Sequence, residues 1–142
     1  FVSRDSQMKL NTTNVYVVWK NHLLLILRSR TDSNKPLWWE SPAGHVDVYC
    51  PSGDSMTARV EALRELEEEA GIKALPRQLV YLPKYSNPQH SSYLLVANSK
   101  LPPKVTLSFE HEDFKWVLPR KASICSPLRE EVKQFVKDMC NV

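Results

Sequence analysis

Arg64-Glu65-Leu66-Glu67-Glu68-Glu69-Ala70-Gly71-Ile72 is the stretch around which the chain is organised. It reads as the distal half of an amphipathic helix. Gly71 is the expected left-handed residue past the last turn, and Ile72 can pack back onto the helix. Upstream, Asp54 or Ser55 offers a side-chain oxygen for an exposed amide at the helix start. At about 100° per residue, Ala58, Ala62, Leu63, Leu66 and Ala70 share one broad side, with Val60 at its margin. Glu61, Glu65 and Glu68 fall in a narrow arc of the other side, Glu69 is one step round, and Glu67 points elsewhere.

Holding like charges this close has a cost. Two carboxylates ~6 Å apart at an effective dielectric of ~20 repel by roughly 3 kcal/mol. Exposed helix pairs cost only about 0.2–0.5 kcal/mol, because water and salt screen them. A solvated acidic face and a divalent-cation strip are therefore both compatible with the run. Magnesium takes hard oxygen ligands and stays partly hydrated, which suits a site shared with a phosphate substrate. Arg64, one turn before Glu68, can pair with a glutamate and hold its rotamer.

The wider pattern separates the two. Arg-Glu-Leu-x-Glu-Glu-x-Gly-Ile, preceded by Pro42-Ala43-Gly44-His45-Val46-Asp47, resembles the Nudix hydrolase signature G-x5-E-x7-R-E-U-x-E-E-x-G-U, where U is a bulky aliphatic residue. Every specified position of its second half is present. The first half departs. Gly44 to Ile72 covers 29 residues where the pattern has 23, and Met56 stands eight residues before Arg64 in place of glutamate. The insertion is expected within Val48–Gly53, with Asp54 as the nearest acidic substitute and a lengthened loop entering the helix.

Composition sets the outer bounds. A chain of 142 residues is one domain by size, long enough for a real core. Its 42% hydrophobic and 25% charged content is ordinary for a globular protein. A net charge of +3 fits a polyanionic small molecule but is too weak to argue for nucleic acid. Cys50, Cys125 and Cys140 are odd in number and lack metal-ligand spacing, which favours a reducing interior and predicts an intracellular, cytoplasmic protein. There is no membrane-length apolar run and no signal-peptide pattern.

Residues 1–13 are polar and aperiodic and are expected to be poorly ordered, with Asn11-Thr12-Thr13 read as a turn. A single domain is expected over residues 14–142. Asn14–Lys20 and His22–Ser29 read as a hairpin across Lys20-Asn21. Thr31–Lys35 is a loop, and Leu37–Glu40 a short strand entering Ser41-Pro42-Ala43-Gly44. Gln78–Lys84 and Ser92–Asn98 read as strands flanking a polar segment at Tyr85–His90. Lys100–Lys104 breaks the sheet. Val105–Phe109 and Phe114–Leu118 read as strand or extended structure around an acidic loop. Pro127 is expected to open a last helix whose stripe, Leu128, Val132, Phe135, Val136 and Met139, is core. Short strands with two separate helices indicate an α/β or α+β sandwich. The resemblance sharpens this to the Nudix fold, a curved mixed sheet between helices (α/β/α) with the motif loop-helix-loop at one end.

By the same resemblance, Glu65, Glu68 and Glu69 are metal-site residues for Mg²⁺, with Mn²⁺ as a substitute, and Arg64 is their ion-pair partner. The Gly44 carbonyl is a further ligand. Glu61 lies outside the motif's fixed positions and is expected to be solvated. Glu110–Trp116 resembles the segment of diadenosine-polyphosphate and other nucleotide-type Nudix enzymes in which an acidic residue lies six before a Trp, which implies Glu110 as general base, with Glu112, His111 and a helix glutamate such as Glu65 as competitors. His45, Arg28, Lys35 and Lys84 are candidate phosphate contacts. Among Tyr16, Trp19, Trp38, Trp39 and Tyr85, one or more would stack on a base, with Trp39 and Tyr85 favoured.

These residues point to a Mg²⁺-dependent hydrolase of a nucleoside diphosphate linked to another group, such as a dinucleoside polyphosphate or an NTP. Nucleic acid enters only as a capped or 5′-phosphorylated substrate, and no membrane partner is expected. The alternative is a catalytically silent Nudix-like nucleotide- or RNA-binding module, which the altered first half favours and the intact Arg64, Glu65, Glu68 and Glu69 oppose. Isopentenyl-diphosphate isomerase shares the fold. Its nucleophilic cysteine would be expected near Trp38–Ser41, where none stands.

Overall fold

A computed structural model describes residues 9–141. Seven strands form one mixed sheet: β1 (Thr12–Trp19), β2 (His22–Arg28), β3 (Trp39–Glu40), β4 (Ala43–His45), β5 (Leu79–Tyr81), β6 (His90–Ala97) and β7 (His111–Val117). Two helices accompany it, α1 (Met56–Ala70) and α2 (Glu130–Cys140). Lys20 and Asn21 both have positive φ, 45° and 64°, as the tight β1–β2 hairpin requires. β1 runs parallel to β6 along its whole length.

The sheet opens at one end. β1 and β2 pair only next to their turn, at Val18↔Leu23 and Trp19↔His22. Further along, β2 pairs with β3 at Ile26↔Glu40 and Leu27↔Trp39, while β1 pairs with β4 at Thr12–Asn14. The Ser41-Pro42 link therefore wedges between two diverging strands, and the motif glycine is delivered to the splayed end.

Alternation builds two cores. Val15, Val17, Leu24 and Ile26 point to one face and meet Ala58, Ala62, Leu66 and Ala70 of α1. Tyr16, Leu23 and Leu25 point to the other and meet Val132 and Phe135 of α2. The outcome is the expected α/β/α sandwich around an open sheet. Leu66 is fully buried at the centre of the α1 face, and Leu66→Ala would cost about 2–5 kcal/mol.

Several boundaries differ from expectation. Of the segment 1–13, residues 1–8 lie outside the described residues, but Leu10 is buried and Thr12 and Thr13 belong to β1 rather than to a turn. Val105–Phe109 has strand-like composition yet joins no ladder. Val105 and Leu107 pack on the α1 core, and the Thr106 amide donates to the Ala70 carbonyl at 2.8 Å, closing the C-terminus of α1. β7 begins at His111, three residues before the expected strand. α2 begins at Glu130 rather than at Pro127, because the preceding residues run beside β3. There the Trp39 amide donates to the Pro127 carbonyl and the Arg129 amide to the Trp39 carbonyl.

Candidate active site

Both helix caps form as read. Ser55 accepts the Ala58 amide at 3.0 Å, and Gly71 adopts φ 68°. Between them the α1 carboxylates take different environments. Glu69 is buried, and one of its oxygens accepts the Ala43 amide at 2.8 Å, which ties the helix to the motif loop. Burial pushes its pKa up to about 8. The Ala43 amide pulls it down, while the charges of Glu40, Glu65 and Glu110 push it further up. Glu65 is also raised, first by burial and then by Glu68, Asp47 and Glu110, with Arg64 opposing. Glu68 is exposed and pairs with Arg64 at 3.0 Å.

Gly44 sits under Glu65. A Cβ at position 44 would fall 2.0 Å from both Cδ and Oε2 of that side chain, so only glycine leaves the carboxylate its place. Arg64 is the hub of the site. It pairs with Glu65 at 3.0 Å, Asp47 at 3.1 Å and Glu61 at 3.3 Å, and donates to the His45 carbonyl at 3.1 Å.

Two residues take roles that differ from expectation. Glu61 is buried rather than solvated and accepts the Asp47 amide at 2.9 Å. Burial pushes its pKa up, but hydrogen bonds from Arg64 and the Asp47 amide outweigh it, leaving the carboxyl below its usual value. Its position is a helix turn away from the motif's fixed glutamates, and the landing of the lengthened loop adds the Asp47 amide to its helix partner Arg64. Asp54, the expected substitute for the missing motif glutamate, is engaged elsewhere. It pairs with Arg59 at 2.8 Å and accepts the Tyr93 hydroxyl at 2.8 Å.

The candidate bases also separate. Glu110 stands in the turn before β7, with its carbonyl accepting the Ser29 amide at 2.9 Å, and its charge acts on both Glu65 and Glu69. Glu112 is turned to Arg30, at 3.2 Å, where β7 is irregular against β2. His111 is buried, with Nε2 on Glu40 at 2.8 Å, so it has no open approach to a water. Sequence reading missed Glu40. This buried carboxylate gathers His111, Arg28 at 3.2 Å and Arg129 at 3.3 Å.

The expected substrate contacts divide in the same way. His45 is exposed beside Gly44. Arg28 is committed to Glu40 and to Asp32, the latter at 2.6 Å. Lys35 stands over the Trp38 ring, and Lys84 pairs with Asp138. Trp39 is buried in the α2 core, and Tyr85 packs edge-on to Tyr16 and Phe135 with its hydroxyl on Asp138. Neither ring is presented as an open stacking face, because the side of the sheet they occupy is covered by α2.

The NUDIX domain pattern matches residues 8–139. The chain belongs to the Nudix family. Nudix enzymes are hydrolases acting on pyrophosphate bonds, and they generally use divalent metals such as Mg²⁺ or Mn²⁺. The MutT protein of Methanosarcina mazei is 20% identical over 96% of each chain, with a TM-score of 0.63. An Ap4A hydrolase of C. elegans is 25% identical over 92% of this chain and 96% of its own, also at 0.63. A bifunctional NMN adenylyltransferase/ADP-ribose pyrophosphatase of Francisella tularensis is 19% identical, with a TM-score of 0.66; the match covers 92% of this chain but only 40% of that one. No curated protein matches this chain in sequence.

The residues of this Nudix site fit a hard divalent cation by their chemistry. The donors are carboxylate oxygens with a glycine backbone beside them, and Glu69, raised first by burial and further by the neighbouring carboxylates, stands where a dication would favour its charged form. Among the described residues no three such side chains already stand together as a ligand set, since Arg64 holds Glu65 and Glu68. No helix among the described residues is long and apolar enough to cross a membrane.

Proposed function

We propose that this chain hydrolyses the diphosphate linkage of a nucleoside diphosphate joined to another moiety, using Mg²⁺, with Mn²⁺ able to replace it. The observation that carries this reading is the convergence of α1 carboxylates on the motif loop at the splayed end of the sheet, with Glu65 over Gly44 and Glu69 accepting the Ala43 amide at 2.8 Å. Glu65, Glu68 and Glu69, with the Gly44 carbonyl, are the residues that would hold the cation. When bound, it supplies positive charge against the phosphoryl oxygens.

The rest falls to this chain's own groups. Arg64 fixes the rotamers of Glu65 and Glu68. Glu110, facing the same strip from a turn anchored on Ser29, takes the proton of the attacking water as general base. His45, exposed next to Gly44, is the candidate phosphate contact. The three free thiols, Cys50 and Cys125 buried and Cys140 exposed, agree with a reducing compartment.

The Ap4A hydrolase similarity makes dinucleoside polyphosphates the first class to test. The experiment is ³¹P NMR of Ap4A, ADP-ribose, nucleotide sugars, NTPs and capped RNA incubated with the protein, with and without Mg²⁺. Cleavage at a phosphoanhydride only with the metal is expected. Tight binding without any turnover would instead support a silent binding module.

A further inference from the structure

The glutamate missing from the motif eight residues before Arg64 has a functional successor three residues before it. Resting on the reading of α1 as the cation strip, we propose that Glu61 is the positioning residue of this site. It locks the motif loop to the helix and fixes Arg64 along one edge, so that the guanidinium orients Glu65 and Glu68 from a set position.

The geometry is reciprocal. Glu61 Oε1 accepts the Asp47 amide at 2.9 Å and Arg64 Nη2 at 3.3 Å, while Oε2 accepts Arg64 Nε at 3.3 Å. The guanidinium is thereby pinned along one edge, and its other hydrogens reach the His45 carbonyl, at 3.1 Å, and Glu68, at 3.0 Å. One carboxylate thus fixes both the loop that carries Gly44 and the cation that orients the metal-site glutamates.

The other acidic or motif positions do not do this. Met56, at the motif's glutamate position, is 65% exposed on the first turn of α1. Asp54 is held by Arg59 and Tyr93. The lengthened loop explains the transfer. Its distal part is tied to the sheet, with the Cys50 carbonyl accepting the Leu10 amide and the Gly53 carbonyl accepting the Ser91 hydroxyl. Its proximal part, leaving Gly44, is held to the residue before β1 by the Val46 amide on the Asn11 carbonyl, at 2.9 Å, and needs a second anchor to the helix. Glu61, buried at 7% exposure, supplies it. Without that carboxylate, Arg64 loses the contact that fixes its Nε edge and the loop loses its hold on the helix, so Glu65 and Glu68 no longer have a positioned partner.

The test is Mn²⁺ binding to the substrate-free protein, followed by the EPR signal of free Mn²⁺. Loss of an outer partner of a metal ligand typically weakens affinity by about 10–100-fold, and Glu61→Ala should fall in that range. Glu61→Gln keeps an acceptor for the Asp47 amide and should lie between it and the parent. Glu67→Gln removes the same charge from α1 without touching Arg64 and should bind as the parent does. Met56→Glu added to Glu61→Ala should restore nothing. Parent-like affinity in a folded Glu61→Ala protein, or rescue by Met56→Glu, would overturn the proposal. Should Glu61→Ala not fold, Glu61→Gln decides, with unchanged affinity counting against it. A parent protein that binds no Mn²⁺ would instead sink the reading of the strip itself.

Discussion

The Glu65 carboxyl lies directly over Gly44, so close that a β-carbon at position 44 would sit 2.0 Å from its Cδ. Gly44 does not need left-handed backbone, unlike Gly53 and Gly71, and the nearest obstacle to alanine is the Glu65 side chain. The side chain can swing aside, and the cost then falls on the site rather than on the fold. Gly44→Ala should keep stability within about 1 kcal/mol. Turnover should fall by roughly 10²-fold, the scale of an approximately 1 Å misplacement. Thermal unfolding and steady-state rates on the same sample check both parts.

A second expectation concerns pH and the strand behind the motif, since Thr12 and Asn14 pair with His45 and Ala43. His90 is held by Thr12 at 2.7 Å and Asn14 at 2.8 Å, and burial lowers its pKa below 6.5, with the Glu131 charge opposing. A folded-state pKa below the unfolded one means that this stability is fully present above about pH 6.5 and is lost as pH falls through the depressed value. Urea midpoints at pH 7.5 and 5.5 should therefore differ more in the parent than in His90→Gln. Equal differences would show that His90 carries none of the effect.

Asp54 supplies the third. Its pairing with Arg59 is partly exposed and contributes no more than about 1 kcal/mol. The Tyr93 hydroxyl would also lose its acceptor, adding about 1 kcal/mol or more. Asp54→Ala should destabilise by about 1–2 kcal/mol in urea titrations and leave turnover within about twofold. A large loss of turnover with intact stability would return Asp54 to the metal site.

What was legible in the sequence was local. The Ser55 and Gly71 caps, the Lys20-Asn21 turn and the apolar side of α1 depend on neighbours within a turn or two, and all three form. Partners across the fold were not legible. Glu61 has no signal in the helix phase that separates a solvated carboxylate from a buried one, because its burial depends on where the inserted loop lands. Alternation along the expected Leu37–Glu40 strand puts Trp38 and Trp39 on opposite faces but does not say which face α2 will cover, so Trp39 read as a platform and is core. Val105–Phe109 has the residues of a strand, but Val105 and Leu107 are drawn onto the α1 core and Thr106 caps that helix, outside any ladder.

If the carboxylate strip of α1 carries the chemistry, neighbouring glutamates on that helix should differ sharply in their effect. Glu68 pairs with Arg64 on the strip, while Glu67 faces Lys73 at 4.0 Å off it. Turnover of a hydrolysed dinucleoside polyphosphate is compared at saturating substrate and limiting Mg²⁺. Glu68→Gln should lose roughly 10²-fold or more, the scale of one preorganised electrostatic contact. Glu67→Gln should stay within about twofold, as surface changes do. Equal rates in the two variants would contradict the account.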